Sequence, residues 1–282
     1  MFAKNTLAGH VILITGGSSG LGLSMARRFA ELEAAVAICG RNPEKLQKAE
    51  EELGAVTDAV AAYRADVRDA EVVERMVRDV VHRFGKITDL VNNAAGNFLA
   101  ATEELTPNAF RAVVEIVLYG TFYATLAFGR HLIEKGSKGS ILNIVTPYAE
   151  TGSAFVVPSA SAKAGVLAMT RSLAYEWGQY GIRVNAIAPG PFPTRGAWQR
   201  LVPDRRLEEA FLAKIPLKRF GKHEELANLA VFLLSDLAPY LTGECITIDG
   251  GEHLHGGMFN FLDQLMSRED LKAMFAKMRP RK

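Results

Sequence analysis

Short apolar runs rich in β-branched residues recur along the chain at Val11–Ile14, Ala35–Cys39, Ala59–Tyr63, Leu90–Val91, Ser140–Val145, Arg183–Ala188 and Cys245–Ile248. Runs this short, bounded by turn residues, read as strands covered on both faces. Between them lie stretches with apolar residues at helical spacing: Leu21–Leu32, Pro43–Leu53, Asp69–Phe84, Pro107–Lys135, Ala160–Tyr180 and Glu224–Leu234. In Asp69–Phe84 the stripe is Val72, Val73, Met76, Val77 and Val80. Strands that alternate with helices of this length predict βαβ units. The fold class is therefore α/β, a doubly wound (Rossmann) seven-stranded parallel sheet flanked by helices. The domain is expected over 1–251. A C-terminal helical extension over 252–282 follows, where Leu265, Met266, Leu271, Met274 and Phe275 form a stripe suited to core or to a subunit interface.

Composition narrows the function classes. The 282 residues are 49% hydrophobic and 23% charged, which excludes disorder, a collagen-like repeat and a coiled-coil rod. Lys and Arg number 33 against 31 Asp and Glu, a balance that argues against a nucleic-acid protein driven by phosphate neutralisation. Cys39 and Cys245 form neither a disulfide framework nor a zinc set. Both fit a reducing, cytoplasmic setting. No run of 18 apolar residues is present, so no membrane span is expected. The apolar run before the first glycines is too short for a secretory leader, and nothing Arg- and Ser-rich precedes it to support a mitochondrial address.

The first strand ends in Thr15, and Gly16, Gly17, Ser18, Ser19, Gly20, Leu21 and Gly22 lead into the first helix. Glycines there permit a tight turn and let backbone N–H groups approach a pyrophosphate at a helix N-terminus. The spacing is TGxxxGxG, and its position after the first strand points to dinucleotide binding. A site that prefers the unphosphorylated ribose carries an acidic residue about 20 positions further on. Here the second strand ends Gly40-Arg41-Asn42, and the Arg41 guanidinium suits a 2′-phosphate. NADP(H) is the cofactor expected. Asp66 and Val67, after the third strand, suit the adenine end, while Asp66 equally fits a helix cap.

The segments TGGSSGLG, Asn93-Ala94-Ala95-Gly96 and Pro189-Gly190, on this βα alternation, resemble the short-chain dehydrogenase/reductase family from about His10 to Gly251. The resemblance implies a Tyr-x-x-x-Lys pair on the helix after the fifth strand. Lys163 fits, but Ser159 occupies the tyrosine position, and a serine hydroxyl is far less acidic than a phenol. Thr146 stands where the family has its catalytic serine, and Val117 where it has an asparagine. The segment TPYAETGSAFVVPSASAKAG is similar to the mitochondrial type of 2,4-dienoyl-CoA reductase, which carries its acidic tyrosine in YAETG, here Tyr148. GPFPTRGAW, EELANLA and GGMFNFLDQL extend the likeness. That branch has Asn before the glycine of its LNG segment, where this chain reads Leu118-Tyr119-Gly120.

The resemblance implies NADPH-dependent reduction of an unsaturated acyl-CoA, with hydride delivered to C5 and charge passing to the thioester oxygen. Tyr148 is then the first donor to that oxygen and Tyr119 a second. Lys163 holds the nicotinamide ribose, and Ser159 holds the ribose or nicotinamide side or caps its helix. Asn93 either touches ligand or pins the sheet backbone. The capping loop over about 190–219 holds seven basic residues in Arg195–Arg219 against Asp204, Glu208 and Glu209. Such a rim attracts the phosphates of CoA, with Phe192, Arg195 and Trp198 on the substrate side. Competing readings are a carbonyl reductase acting on 3-oxoacyl or other ketones and a catalytically silent NADPH-binding sensor or scaffold. The family likeness also implies a homotetramer.

Overall fold

A computed structural model describes residues 2–194, 198, 202 and 204–278. Seven strands form one parallel sheet in the order β3-β2-β1-β4-β5-β6-β7. They are β1 Val11–Thr15, β2 Ala35–Gly40, β3 Val60–Arg64, β4 Asp89–Asn92, β5 Gly139–Ile144, β6 Ile182–Pro189 and β7 Cys245–Ile248. Side chains of β1 alternate between the two faces. Ile12 and Ile14 join a core with α1 (Gly20–Glu31), α2 (Pro43–Gly54) and α9 (His223–Leu234). Val11 and Leu13 join the opposite core with α3 (Ala70–Phe84), α5 (Gly120–Lys135) and α7 (Val157–Gly178). The remaining described helices are α4 Pro107–Val114, α6 Tyr148–Thr151, α8 Arg205–Lys214, α10 Leu262–Leu265 and α11 Arg268–Met278. The doubly wound reading therefore holds, and strand order reverses between β1 and β4, where such sheets open a ligand crevice.

Three boundaries differ from the sequence expectation. The tract Pro107–Lys135 is continuous but contains a π-type turn at Glu115–Tyr119. By length and hydropathy this tract is apolar enough to cross a membrane. Here Gly120, Ala124 and Phe128 are buried within the domain. The helix expected over Ala160–Tyr180 begins earlier, at Val157, with Val156 as its cap residue. The Asp263–Met278 stripe is broken into two short helices, with Leu271 buried but Leu265 and Met278 largely exposed.

At the N-terminal ends of β1 and β4, away from the glycine turn, His10 Nδ1 lies 2.7 Å from the Asp89 carboxylate, which also accepts from Thr88 at 2.6 Å. Asp89 is buried, and its bond to His10 is the main cause that holds the imidazole above its ordinary value of 6.5. This pair stabilises the fold fully below pH 6.5 and loses its effect as pH rises through the raised value. His10→Ala should therefore cost about 1–3 kcal/mol near neutrality and less in alkali. Urea unfolding at several pH values checks this, with KM expected unchanged.

Candidate active site

The glycine turn is built by close backbone packing. A Cβ on Gly22 would lie 2.5 Å from both the Asn93 amide nitrogen and the Gly16 carbonyl oxygen. Gly16 itself has φ +65°, in the left-handed region. Asn93 donates to the carbonyls of Thr15 and Gly16, each at 3.1 Å. These bonds hold the end of β4 against the turn. The Ala94 N–H donates to the Thr15 hydroxyl at 3.1 Å, while Ala95 and Gly96 carry the chain onward along the crevice. Ser19 caps α1 without a side-chain bond, and no acidic residue occupies its first turn. The helix N-terminus thus keeps its N–H groups and positive end for an anion.

Ser18 lies against Gly40 at the end of β2, close enough that a Cβ there would be 3.0 Å from its hydroxyl. Arg41 is exposed and pairs with no described acid. Asp66 makes a 2.6 Å ion pair with Arg68, and this bond holds its carboxyl below the usual range. Helix α3 is capped by Asp69, not by Asp66. Val67 is buried against Gly120. A phosphate-ready helix end and glycines with no room for Cβ fit a dinucleotide. On the far side, β6 ends at Pro189. A Cβ on Gly190 would lie 2.4 Å from Asp249 Cβ, so only glycine permits this approach to β7.

The reactive groups converge beyond β5. Tyr148 opens the four-residue helix α6 rather than ending the strand. Its hydroxyl lies 3.1 Å from the Ser159 hydroxyl and 3.4 Å from the Asn97 amide nitrogen, which donates to it. A bond from the Ala100 N–H to the Phe155 carbonyl (3.0 Å) ties the loop carrying Asn97 to the one after Tyr148. Ser159 sits inside α7 and is 2% exposed, so the capping alternative is corrected. Pro158 occupies the first turn, and the chain enters the helix two residues earlier. Lys163, one turn further, is 5% exposed and donates to the Ile144 carbonyl. Burial pulls its ammonium down to about 8. The buried Thr146 hydroxyl has no partner among the described residues, which suits it to a bound ligand.

Tyr119 is not part of this cluster. It is 48% exposed, leans on Tyr123 at 6.3 Å, and lines a separate groove with Asp66, Arg68 and Glu115. The amide that the structure sets beside the Tyr148 hydroxyl is that of Asn97. Val117 is buried against α7. Phe192 packs in the core and over Gly221, at the wall of a small cavity shared with Leu217 and Asp249. Arg195 lies outside the described residues. Trp198 stacks edge-on against Phe220 at 4.8 Å and Phe211 at 5.8 Å, and its buried indole N–H has no partner among the described residues.

A family model described as enoyl-(acyl carrier protein) reductase matches residues 16–253. A solved short-chain dehydrogenase from Bacillus anthracis is 45% identical, with a TM-score of 0.82, covering 90% of this chain and 99% of that one. This chain belongs to the short-chain dehydrogenase/reductase family. Two relatives within the family are similar over most of their length. A probable 2,4-dienoyl-CoA reductase, (2E)-enoyl-CoA-producing, from Bacillus subtilis is 47% identical over 86% of this chain and 96% of its own. A probable 2,4-dienoyl-CoA reductase 3, (3E)-enoyl-CoA-producing, from Caenorhabditis elegans is 44% identical over 89% and 83%. The short-chain dehydrogenase assignment agrees with the Tyr148–Ser159–Lys163 cluster, which places a phenol beside the serine that replaced the family's usual tyrosine.

Proposed function

We propose that the protein is an NADPH-dependent reductase of 2,4-dienoyl-CoA thioesters. The observation that carries this is the phenol of Tyr148, held between Ser159 and Asn97. When bound, the nicotinamide supplies hydride. The chain's own residues then manage charge. As the dienolate forms, its oxygen gains negative charge, and the Tyr148 hydroxyl and Asn97 amide are donors that strengthen as that charge grows. Ser159 fixes the phenol. Lys163, buried on the same helix face one turn on, supplies positive charge and a donor for the nicotinamide ribose. Thr146 offers a further hydroxyl. Lys163 holds the nicotinamide end of the cofactor, the turn from Gly16 to Gly22 its pyrophosphate, and Asp66, Val67 and Arg41 its adenosine end.

The basic residues after β6 suit the CoA phosphates. The half-exposed Phe110 on α4, Tyr119 in the π-type turn and Phe122 on α5 support assembly of this tract between subunits of a homotetramer, which sedimentation velocity measures directly.

Following NADPH oxidation with a dienoyl-CoA, a 2-enoyl-CoA and acetoacetyl-CoA tests the reading. Turnover of the dienoyl-CoA supports it. Turnover of the ketone alone identifies a carbonyl reductase, and turnover of none identifies a silent binder. The double bond left in the product reports where the proton lands, C4 for a 2-enoyl and C2 for a 3-enoyl thioester. Arg41→Ala should weaken NADPH about 10–100-fold, the effect of losing a charge-assisted contact, and leave NADH nearly unchanged. Equal loss for both in fluorescence titrations contradicts the 2′-phosphate role.

A further inference from the structure

His223 opens α9, half-buried, with both ring nitrogens engaged. Nε2 lies 2.9 Å from the Pro193 carbonyl, and Nδ1 lies 2.8 Å from the Ser24 hydroxyl on α1. A carbonyl only accepts, so Nε2 carries a proton; in the neutral ring, Nδ1 is then the acceptor for Ser24. The single Ser24 proton faces two acceptors, this nitrogen and the Gly20 carbonyl at 3.0 Å. Gly20 is the first residue of the helix whose N-terminus faces the phosphate site.

At the other end, Pro193 belongs to the segment that leaves β6 for the capping loop. That segment crosses the glycine turn: a Cβ on Gly20 would lie 3.4 Å from the Thr194 methyl. It is joined to the approach to α9 at two further points. The Gly221 N–H donates to the Pro191 carbonyl at 3.1 Å, and the Phe192 ring covers Gly221. Imidazole suits this bridge because it presents a donor and an acceptor on opposite edges of one rigid plane. An aliphatic side chain would remove both bonds and leave the Ser24 hydroxyl only the Gly20 carbonyl.

We infer that His223 is a positioning residue that ties the base of the substrate-capping segment to the phosphate-binding helix. It touches neither substrate nor reacting atoms and acts through Pro193 and Ser24. The helix that receives the cofactor thereby also sets where the capping segment begins. The identity of the substrate rests on the function proposed above, but the bridge itself does not.

Hydrogen–deuterium exchange of peptides covering 186–194, with and without NADP+, tests this on the full chain. In the native protein NADP+ should slow exchange of this segment. In His223→Ala that protection should be lost, with calorimetric affinity for NADP+ within about twofold of native. His223→Gln, which keeps one donor and one acceptor, should restore most of the protection, and Ser24→Ala should fall between. With a dienoyl-CoA, His223→Ala should raise KM about tenfold and leave kcat within about threefold, the signature of lost positioning rather than lost chemistry. Undiminished protection in His223→Ala overturns the inference. So does a loss that Gln does not restore, or an equal loss of NADP+ affinity. If no dienoyl-CoA is turned over, the functional reading fails, while the exchange result still decides the role of His223.

Discussion

Tyr148→Phe should lower kcat with a dienoyl-CoA by about 10²–10³, the usual cost of removing a donor to a developing oxyanion. The ring remains, and so do Ser159 and Asn97, which are hydrogen-bonded to its hydroxyl. The variant therefore loses one donor with little change in packing, and NADPH affinity should stay within about twofold. Steady-state kinetics with a parallel fluorescence titration separates the two quantities. A kcat that falls together with NADPH affinity would instead indicate a cofactor-binding role for this tyrosine.

Lys163→Met should abolish most turnover and yet stabilise the cofactor-free protein. Loss of the ammonium removes the positive charge beside the reacting groups and should lower kcat by at least about 10². The stability effect has the opposite sign. Burial pulls the ammonium from 10.5 to about 8, so the folded chain binds fewer protons than the unfolded chain between those values. Stability must then rise with pH across that window, and the full penalty of the buried charge is present below it. A shift of this size corresponds to roughly 3 kcal/mol. The Ile144 carbonyl, left without its donor, offsets about 1–2 kcal/mol. The net expectation is a midpoint about 2–5 °C higher at pH 7, with the pH slope above 8 removed. Calorimetric scans from pH 7 to 10 measure both. A midpoint that falls at every pH would show that the ammonium is needed for the fold itself.

Much of this arrangement was legible in the chain because its signals are local. β1 and the glycine turn are contiguous, and the spacing of Ser159 and Lys163 places both on one helix face. The YAETG resemblance led to Tyr148, and the structure brings its hydroxyl to the serine that stands where the usual tyrosine is missing. What stayed hidden depends on contacts between distant segments. Asn97 meets Tyr148 across 51 positions, and only the order of β4 and β5 in the sheet brings their loops together. The one available cue was its place just after Asn93-Ala94-Ala95-Gly96, at the mouth of the crevice. The place of Tyr119 was not legible because a residue in a π-type turn is not placed by the period of the flanking helix. The aromatic side chain turned outward to Tyr123. Phe192 looked like a substrate contact from its position after Pro189-Gly190, yet the absence of a side chain at Gly221 admits its ring to the core. His223 gave no sequence signal at all, since its partners lie 199 and 30 positions away.

The claim at the centre is that the acidic group of this reductase is the phenol of α6, and not a side chain one turn ahead of Lys163. A crystal structure with NADP+ and a dienoyl-CoA bound tests it most directly. The account predicts the Tyr148 oxygen within about 2.6–3.2 Å of the thioester oxygen, with the Asn97 amide as its neighbour. A thioester oxygen held by other donors, with the Tyr148 hydroxyl out of hydrogen-bond reach, would contradict it.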